Sequence, residues 1–307
     1  MKVLLTGGTG QVGGALVPRL RREGYEVSAP GRATLDLARP DRLAAALHAA
    51  APAIIVNAAA YTAVDGAEQE RGLAHTVNAE AVAAMAATAR ELGALLVHFS
   101  TDYVFDGRQP TPYVEDDPPA PLNVYGASKL AGETAIRASG VRHLILRTSW
   151  VFSASGRNFL TAILERGAQP GELRVVHDQH GAPTWADDLA DAANALLRET
   201  RAAPAQSGRL GTFHCTAAGE TTWFGFAQAI FEEAATLGVD IRTRLVPVST
   251  AAYGAAAARP AHSRLACDKL VRTFGAAVAP LPHWRAGLRT CLRQHLIAPH
   301  AQHRRPA

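Results

Sequence analysis

The chain opens Met1-Lys2-Val3-Leu4-Leu5-Thr6-Gly7-Gly8-Thr9-Gly10-Gln11-Val12-Gly13-Gly14. The apolar run Lys2–Thr6 reads as a buried strand. Gln11–Glu23, with apolar residues at Val12, Ala15, Leu16 and Leu20, reads as a helix. Between them Gly7, Gly10 and Gly13 are spaced G-x-x-G-x-x-G. Such glycines allow a tight turn, let backbone approach a pyrophosphate and let the helix pack close to the strand. The helix start then offers unpaired N–H groups and its positive dipole end to phosphate. Any strand–turn–helix can need a glycine. At the N-terminus, directly after a strand and opening a helix, the trio points to a dinucleotide.

The alternation continues through the first half. Strands are expected at Glu26–Ala29, Ala53–Asn57, Leu95–Ser100 and His143–Arg147, and helices at Pro40–Ala50, Val77–Leu92 and Tyr125–Ser139. Strand–helix alternation with continuously apolar strands predicts a Rossmann-type, doubly wound α/β fold with a parallel sheet. Thr101–Asn123 breaks the rhythm with five prolines, a long loop leaving the sheet end where α/β folds bind ligands. Beyond Arg147, helices are expected at Asn158–Arg166, Ala186–Glu199, Phe224–Thr236 and Trp284–Leu296, and strands at Leu173–Val176 and Gly211–Thr216. The organisation reads as a dinucleotide-binding domain over 1–150, joined by elements near 180–215, a smaller substrate domain over 151–297, and a disordered tail over 298–307.

Composition excludes several classes. The 307 residues are 48% hydrophobic and 19% charged, an ordinary globular balance. No apolar run is long enough to span a membrane. Cys215, Cys267 and Cys291 lie far apart without metal-ligand spacing, and no leader precedes the first strand, so a cytoplasmic protein with free thiols is expected. The net charge of +4 comes from scattered arginines that do not cluster with aromatics, which argues against nucleic acid.

Tyr125 and Lys129 are four apart at the start of an expected helix and share a face. With six tyrosines and three lysines in the chain, a chance Tyr-x-x-x-Lys has odds of roughly 6 in 100. Reducing a ketone by hydride leaves an alkoxide that must gain a proton. A phenol is a poor acid near neutrality, and a nearby ammonium eases its loss of the proton. The same ammonium can hold the nicotinamide ribose. Thr101, ending the fourth strand, is the hydroxyl expected at the substrate oxygen. Asp102 can accept from sugar hydroxyls, although Ser100-Thr101-Asp102 also suits a turn or cap.

After the second strand, where an NAD site carries a carboxylate, the chain has Ala29-Pro30-Gly31-Arg32. Arg32 can meet a 2′-phosphate, against the reading of one more surface arginine, so NADPH is favoured over NADH without excluding dual use. Asp36 and Leu37 can lie against the adenine. The small residues Ala58, Ala59 and Ala60 leave room for a cofactor across the sheet. In the second half Arg259 and Arg264 can clamp a diphosphate. Trp150 can stack on a sugar or base or simply pack in the core. Asn158 and Gln179 are candidate polar contacts.

Longer strings narrow the reading: GGTGQVG at Gly7, NAAAYTAVD at Asn57, STDYVFDG at Ser100, PLNVYGASKLAGE at Pro121, RTSWVF at Arg147, DQHGAPT at Asp178 and RPAHSRL at Arg259. Together they resemble the dTDP-4-dehydrorhamnose reductase family of extended short-chain dehydrogenases/reductases, from Met1 to about Leu296. The resemblance implies that Thr101, Tyr125 and Lys129 are the catalytic trio. It implies cofactor contacts at Gly10, Gln11, Val12, Asp36, Leu37, Ala60, Tyr61 and Thr62, and sugar-nucleotide contacts at Asp102 and Trp150. It implies hydride transfer to C4 of a 4-keto-6-deoxy-L-mannose unit carried on dTDP. A monomer or weak homodimer is expected. Some relatives dimerise through Mg²⁺ held by glutamates. Ala15 stands at the first such position and Asp187 at a later one, so no metal is expected. Two other readings fit the fold. One is a nucleotide-sugar epimerase or dehydratase, though no Asp-Glu pair follows Thr101. The other is a non-catalytic NADP-binding regulatory subunit, against which the complete trio argues.

Overall fold

A computed structural model of the protein describes residues 1–204, 207–278 and 280–302. Six strands form one sheet: β1 (Lys2–Thr6), β2 (Glu26–Ser28), β3 (Ile54–Asn57), β4 (Leu95–Thr101), β5 (His143–Thr148) and β6 (Gly211–His214). Their order is β6-β5-β4-β3-β1-β2, and every neighbouring pair is parallel. The expected doubly wound α/β fold is therefore present, with Gly211–His214 returning from the second half to the sheet edge. Parallel pairing needs crossovers. These carry α1 (Gln11–Arg22), α2 (Leu43–Ala50), α3 (Ala81–Glu91), α4 (Val124–Ser139) and α5 (Ala186–Thr200). From β1 the chain runs on to β2 on one side and from β3 to β4 on the other, so a binding crevice opens between the carboxyl ends of β1 and β3.

Both faces of the sheet are buried. Val3, Leu5, Val56 and Val97 pack with Leu16 and Leu20 of α1 and Leu189 and Leu196 of α5. Leu4, Ile55, Leu96 and Ile145 point the other way, onto Leu43 and Leu47 of α2, Met85 of α3 and Ile136 of α4. Burial of each such side chain contributes about 1.5–3 kcal/mol. A second core around Phe152, Leu160, Phe226, Ile230 and Leu288 belongs to the later half. There Gly171–Val176 pairs in parallel with Thr243–Val248. The latter strand was not anticipated, since Pro247 lies inside it and proline is rare in strand interiors. The helices Val64–Gln69, Arg71–His75 and Asp268–Phe274 were also missed, being too short to display a helical period. The tail expected over 298–307 falls on the end of the last helix, Trp284–Gln302, and on residues 303–307, which lie outside the described residues.

The long loop after β4 is packed around a small core of its own. The Phe105 and Tyr113 rings stack at 4.2 Å, with Val104 and Leu265 beside them. Beneath it lies a buried ion pair. Arg147 of β5 donates to both oxygens of Glu133 of α4, at 2.9 and 2.7 Å. Ser100 of β4 adds a 2.6 Å hydrogen bond to the same carboxylate. Burial raises the Glu133 pKa, but Arg147, Ser100 and Arg137 outweigh it and hold the carboxyl below its usual range. Glu133→Ala leaves the Arg147 guanidinium unpaired in the core, a loss of about 3–5 kcal/mol. Arg244→Ala, which breaks an exposed pair with Glu172, is expected to cost under about 1 kcal/mol. Denaturant midpoints of the two variants compare them directly; equal losses contradict this account.

Candidate active site

The glycine turn is set by steric contact. Gly7 has φ +75°, and a Cβ there would lie 2.8 Å from the backbone of Ala58 and Ala59. A Cβ on Gly13 would meet the Gly7 carbonyl at 2.2 Å. Gly10 caps α1 without any side-chain hydrogen bond, and the first turn has no acidic residue. The N–H groups and dipole at this end are thus open to an anion. Val12 lies half-buried in that first turn. Gln11 reaches from it into the second half of the chain, its Oε1 accepting from Ser153 at 2.9 Å.

Beside the turn, Ala58, Ala59 and Ala60 leave β3 half-buried. The Tyr61 N–H donates to Asn78 at 2.8 Å, and Thr62 is exposed. A cavity of about 510 Å³ opens past β2, lined by Arg32, Asp36, Arg39 and Arg42 among others. Leu37 is buried beneath it in the sheet core. Arg39 and Arg42 were not singled out from the sequence; their only signal was their closeness to Arg32.

Tyr125 lies in the first turn of α4. Asn123 caps this helix, accepting from the Gly126 N–H at 2.8 Å. A Cβ on Gly126 would meet the Tyr103 carbonyl at 2.1 Å, so the residue after Tyr125 must be glycine for the helix to sit this close to the loop. The placement sets the Tyr125 ring edge-on to that of Tyr103, with centroids 6.0 Å apart. Burial pushes the phenol up to about 12, against the Thr101 hydrogen bond and with the Asp102 charge. At neutral pH it is a protonated donor.

The expected influence of the ammonium on the phenol takes a different form here. Lys129 is 2% exposed and turns toward β4, donating to the Phe99 carbonyl at 2.7 Å. Its Nζ is 3.1 Å from Nε2 of His98. Burial pushes Lys129 down to about 8, with Glu133 opposing. His98 went unremarked in the sequence, although it is the one polar residue within the apolar run of β4.

Thr101 donates to Asp102 Oδ1 at 3.0 Å, while Asp102 Oδ2 is buried without a partner. Burial raises Asp102 to about 7, against the nearby Ser263 hydroxyl and the Thr101 hydrogen bond.

The second-half candidates are all engaged. Trp150 has φ +46° and stacks on Trp223 at 3.6 Å, with its Nε1 buried and unpartnered. Gly181 leaves room for that ring: a Cβ there would lie 2.5 Å from it. Asn158 caps the helix Phe159–Gly167 and also donates to the Ser153 carbonyl at 3.0 Å. Gln179 donates to Thr250 at 3.0 Å. Arg259 pairs with Asp65 at 2.6 Å, and Arg264 pairs with Glu220. Near Ala15, Arg19 reaches the Ala15 carbonyl at 2.8 Å and pairs with Asp187 at 2.7 Å and Asp191 at 2.6 Å. Among the described residues no cluster of three or more His, Cys, Asp or Glu is placed to hold a metal ion.

A family model described as the RmlD substrate binding domain matches residues 1–297. A dTDP-4-dehydrorhamnose reductase of Burkholderia thailandensis is 46% identical, with 96% of this chain and 99% of the relative covered. The chain belongs to the dTDP-4-dehydrorhamnose reductase family. A probable dTDP-4,6-dihydroxy-2-methyloxan-3-one 4-ketoreductase of Streptomyces antibioticus is 42% identical over the whole of both chains. Among solved structures, a dTDP-4-dehydrorhamnose reductase of Bacillus anthracis in complex with NADP superposes with a TM-score of 0.86. It is 36% identical, and 95% of this chain and 99% of that one are covered.

Within this family frame, Asp102 is held at a cost to folding. Its folded carboxyl keeps a proton up to about pH 7, whereas an unfolded one releases it near pH 4. Stability therefore falls as pH rises from about 4 to about 7 and levels off above. Asp102→Asn removes that fall. It is expected to be more stable than the wild type at pH 8, by up to roughly 4 kcal/mol, with the gain shrinking toward pH 5. Urea unfolding at both pH values checks it; a pH-independent difference contradicts the buried-carboxyl reading.

Proposed function

We propose that this chain reduces the C4 ketone of dTDP-4-dehydro-β-L-rhamnose to dTDP-β-L-rhamnose with NADPH, NADH serving as an alternative. The observation that carries the reading is Tyr125 in the first turn of α4, one turn before the buried Lys129, whose amine reaches the Phe99 carbonyl near the carboxyl end of β4 in a parallel sheet. Bound NADPH supplies the hydride. Gly7, Gly10, Gln11, Val12 and Gly13 present the open end of α1 to its pyrophosphate. Arg32, with Arg39 and Arg42, meets the 2′-phosphate, and Asp36 and Leu37 flank the adenine. Ala58 to Thr62 line the nicotinamide side, and Tyr125 and Lys129 hold the ribose.

Tyr125 and Thr101 hydrogen-bond the ketone oxygen. As the oxygen becomes an alkoxide, the Tyr125 O–H gives it a proton, and the ammonium of Lys129 stabilises the phenolate left behind. A phenol held near 12 stays protonated across the physiological range, which suits the reducing direction. The unpartnered Asp102 Oδ2 hydrogen-bonds a sugar hydroxyl. Trp150 stacks on the sugar or base, and Arg259 and Arg264 reach the diphosphate by exchanging their carboxylate partners for it. Asn158 and Gln179 keep their internal hydrogen bonds and hold the second-half loops in place. The dinucleotide is held by residues 1–150 with β6, and the sugar nucleotide mainly by 151–297. The protein is a cytoplasmic monomer or weak homodimer, supplying rhamnose for lipopolysaccharide or O-antigen precursors.

The test is NADPH oxidation with the keto-sugar. One NADPH is expected to be consumed per sugar, with Tyr125→Phe slower in kcat/KM by about 10²–10⁴. Arg32→Ala is expected to raise KM for NADPH by about tenfold while leaving NADH nearly unchanged. A Tyr125→Phe protein that turns over like the wild type overturns the mechanism. Conversion without net NADPH loss points to an epimerase instead, and an inert protein to a regulatory subunit.

A further inference from the structure

Behind the reacting centre runs a chain of buried side chains whose donors and acceptors have fixed directions. Asn57 Oδ1 accepts from the Thr6 hydroxyl at 2.6 Å and from the Ala59 N–H at 3.3 Å. The backbone N–H can only donate, so the Asn57 oxygen faces it and the amide NH₂ faces the other way. That NH₂ lies 3.0 Å from Nδ1 of His98. His98 has no exposed surface, and burial holds it well below the usual imidazole range. A neutral imidazole carries one proton. With Nδ1 accepting from Asn57, that proton is on Nε2, which points at Lys129 Nζ across 3.1 Å.

An ammonium has three donors and no acceptor, so it would meet the His98 N–H donor to donor. A neutral amine has a lone pair for that N–H and still donates to the Phe99 carbonyl. The titratable groups facing Lys129 are His98 from β4 and Glu133 from its own helix. Glu133 favours the charged form but is itself neutralised by Arg147 from β5 and by Arg137. From β3 the uncharged Asn57 stands behind His98.

We infer that His98 is a positioning residue that, in alkaline solution, holds Lys129 against β4 as a neutral hydrogen-bond acceptor, and that dinucleotide binding then draws one proton from solvent onto Nζ. The ribose hydroxyls and the phenolate formed in the reaction both call for a donor. Nζ takes the proton on its lone pair as it leaves His98, and His98 keeps its own proton on Nε2. The chain starts at Ala59, in the turn that lines the cofactor, so cofactor turn and lysine share one hydrogen-bond network. This inference rests on the reductase reading only in taking a nicotinamide dinucleotide as the ligand.

The experiment measures proton uptake when NAD⁺ is added to the full-length protein in weakly buffered solution with a pH indicator. NAD⁺ has no 2′-phosphate, whose own titration near pH 6 would add to the signal. The wild type is expected to take up close to one proton per bound NAD⁺ at pH 9 and almost none at pH 6.5. Lys129→Met is expected to take up none at either pH. In His98→Gln the side-chain carbonyl offers the ammonium an acceptor, so uptake at pH 9 is expected to fall below half. The alkaline limb of kcat/KM for NADPH oxidation should also move up by about one pH unit. Absence of uptake by the wild type at pH 9, or its persistence in Lys129→Met, overturns the proposal. So does His98→Gln that matches the wild type in both measurements. Proton uptake by a wild type that leaves NADPH unoxidised with the keto-sugar supports the proposal and overturns the reductase reading.

Discussion

Three polar side chains stand abreast in the sheet. The strand register places Thr6 of β1 opposite Asn57 of β3, and Asn57 opposite His98 of β4. All three are almost fully buried. In so apolar a setting each must find its partner inside the protein, because a stranded donor or acceptor costs about 1–3 kcal/mol. A slip of one residue in either pairing would turn the row to the other face and break every contact. The row therefore fixes the register of the central strands. Through His98 it also fixes where the Lys129 amine sits, and α4 then carries Tyr125 to the Thr101 end of β4. Fold and site depend on the same few hydrogen bonds.

The proposed reacting centre is assembled by burial more than by paired charges. Desolvation keeps Tyr125 protonated, lowers Lys129 and raises Asp102. Lys129 and Asp102 are thereby brought closest to titration near neutrality, where proton transfer is most readily balanced. The compensating charge lies one layer away, in the Glu133–Arg147 pair, which ties α4 to β5 and so steadies the helix carrying Tyr125 and Lys129. Arg19 plays a comparable part on the opposite face, where it joins α1 to Asp187 and Asp191 of α5.

Much of this was legible in the residues themselves. The continuous apolar strands and the glycine turn specified a parallel sheet and its first crossover, and the scarcity of lysine made Tyr125–Lys129 conspicuous. Partners distant in sequence were not legible. Nothing around Arg259 or Arg264 announces that Asp65 and Glu220 hold them, and nothing around Trp150 announces Trp223. The role of His98 depends on the strand register and on the direction of an asparagine amide, both properties of the folded chain. The strand Thr243–Val248 went unseen because Pro247 violates a local rule that its pairing with Gly171–Val176 overrides.

If the chain delivers hydride to the sugar ketone while Tyr125 gives its oxygen a proton, an isotope label follows the hydride from cofactor to sugar. With NADPH fully deuterated at the nicotinamide C4 and dTDP-4-dehydro-β-L-rhamnose as substrate, one deuterium is expected at C4 of dTDP-β-L-rhamnose for each NADPH consumed. Both deuterium atoms retained on the nicotinamide C4, or product formed with protium at C4, would contradict the account.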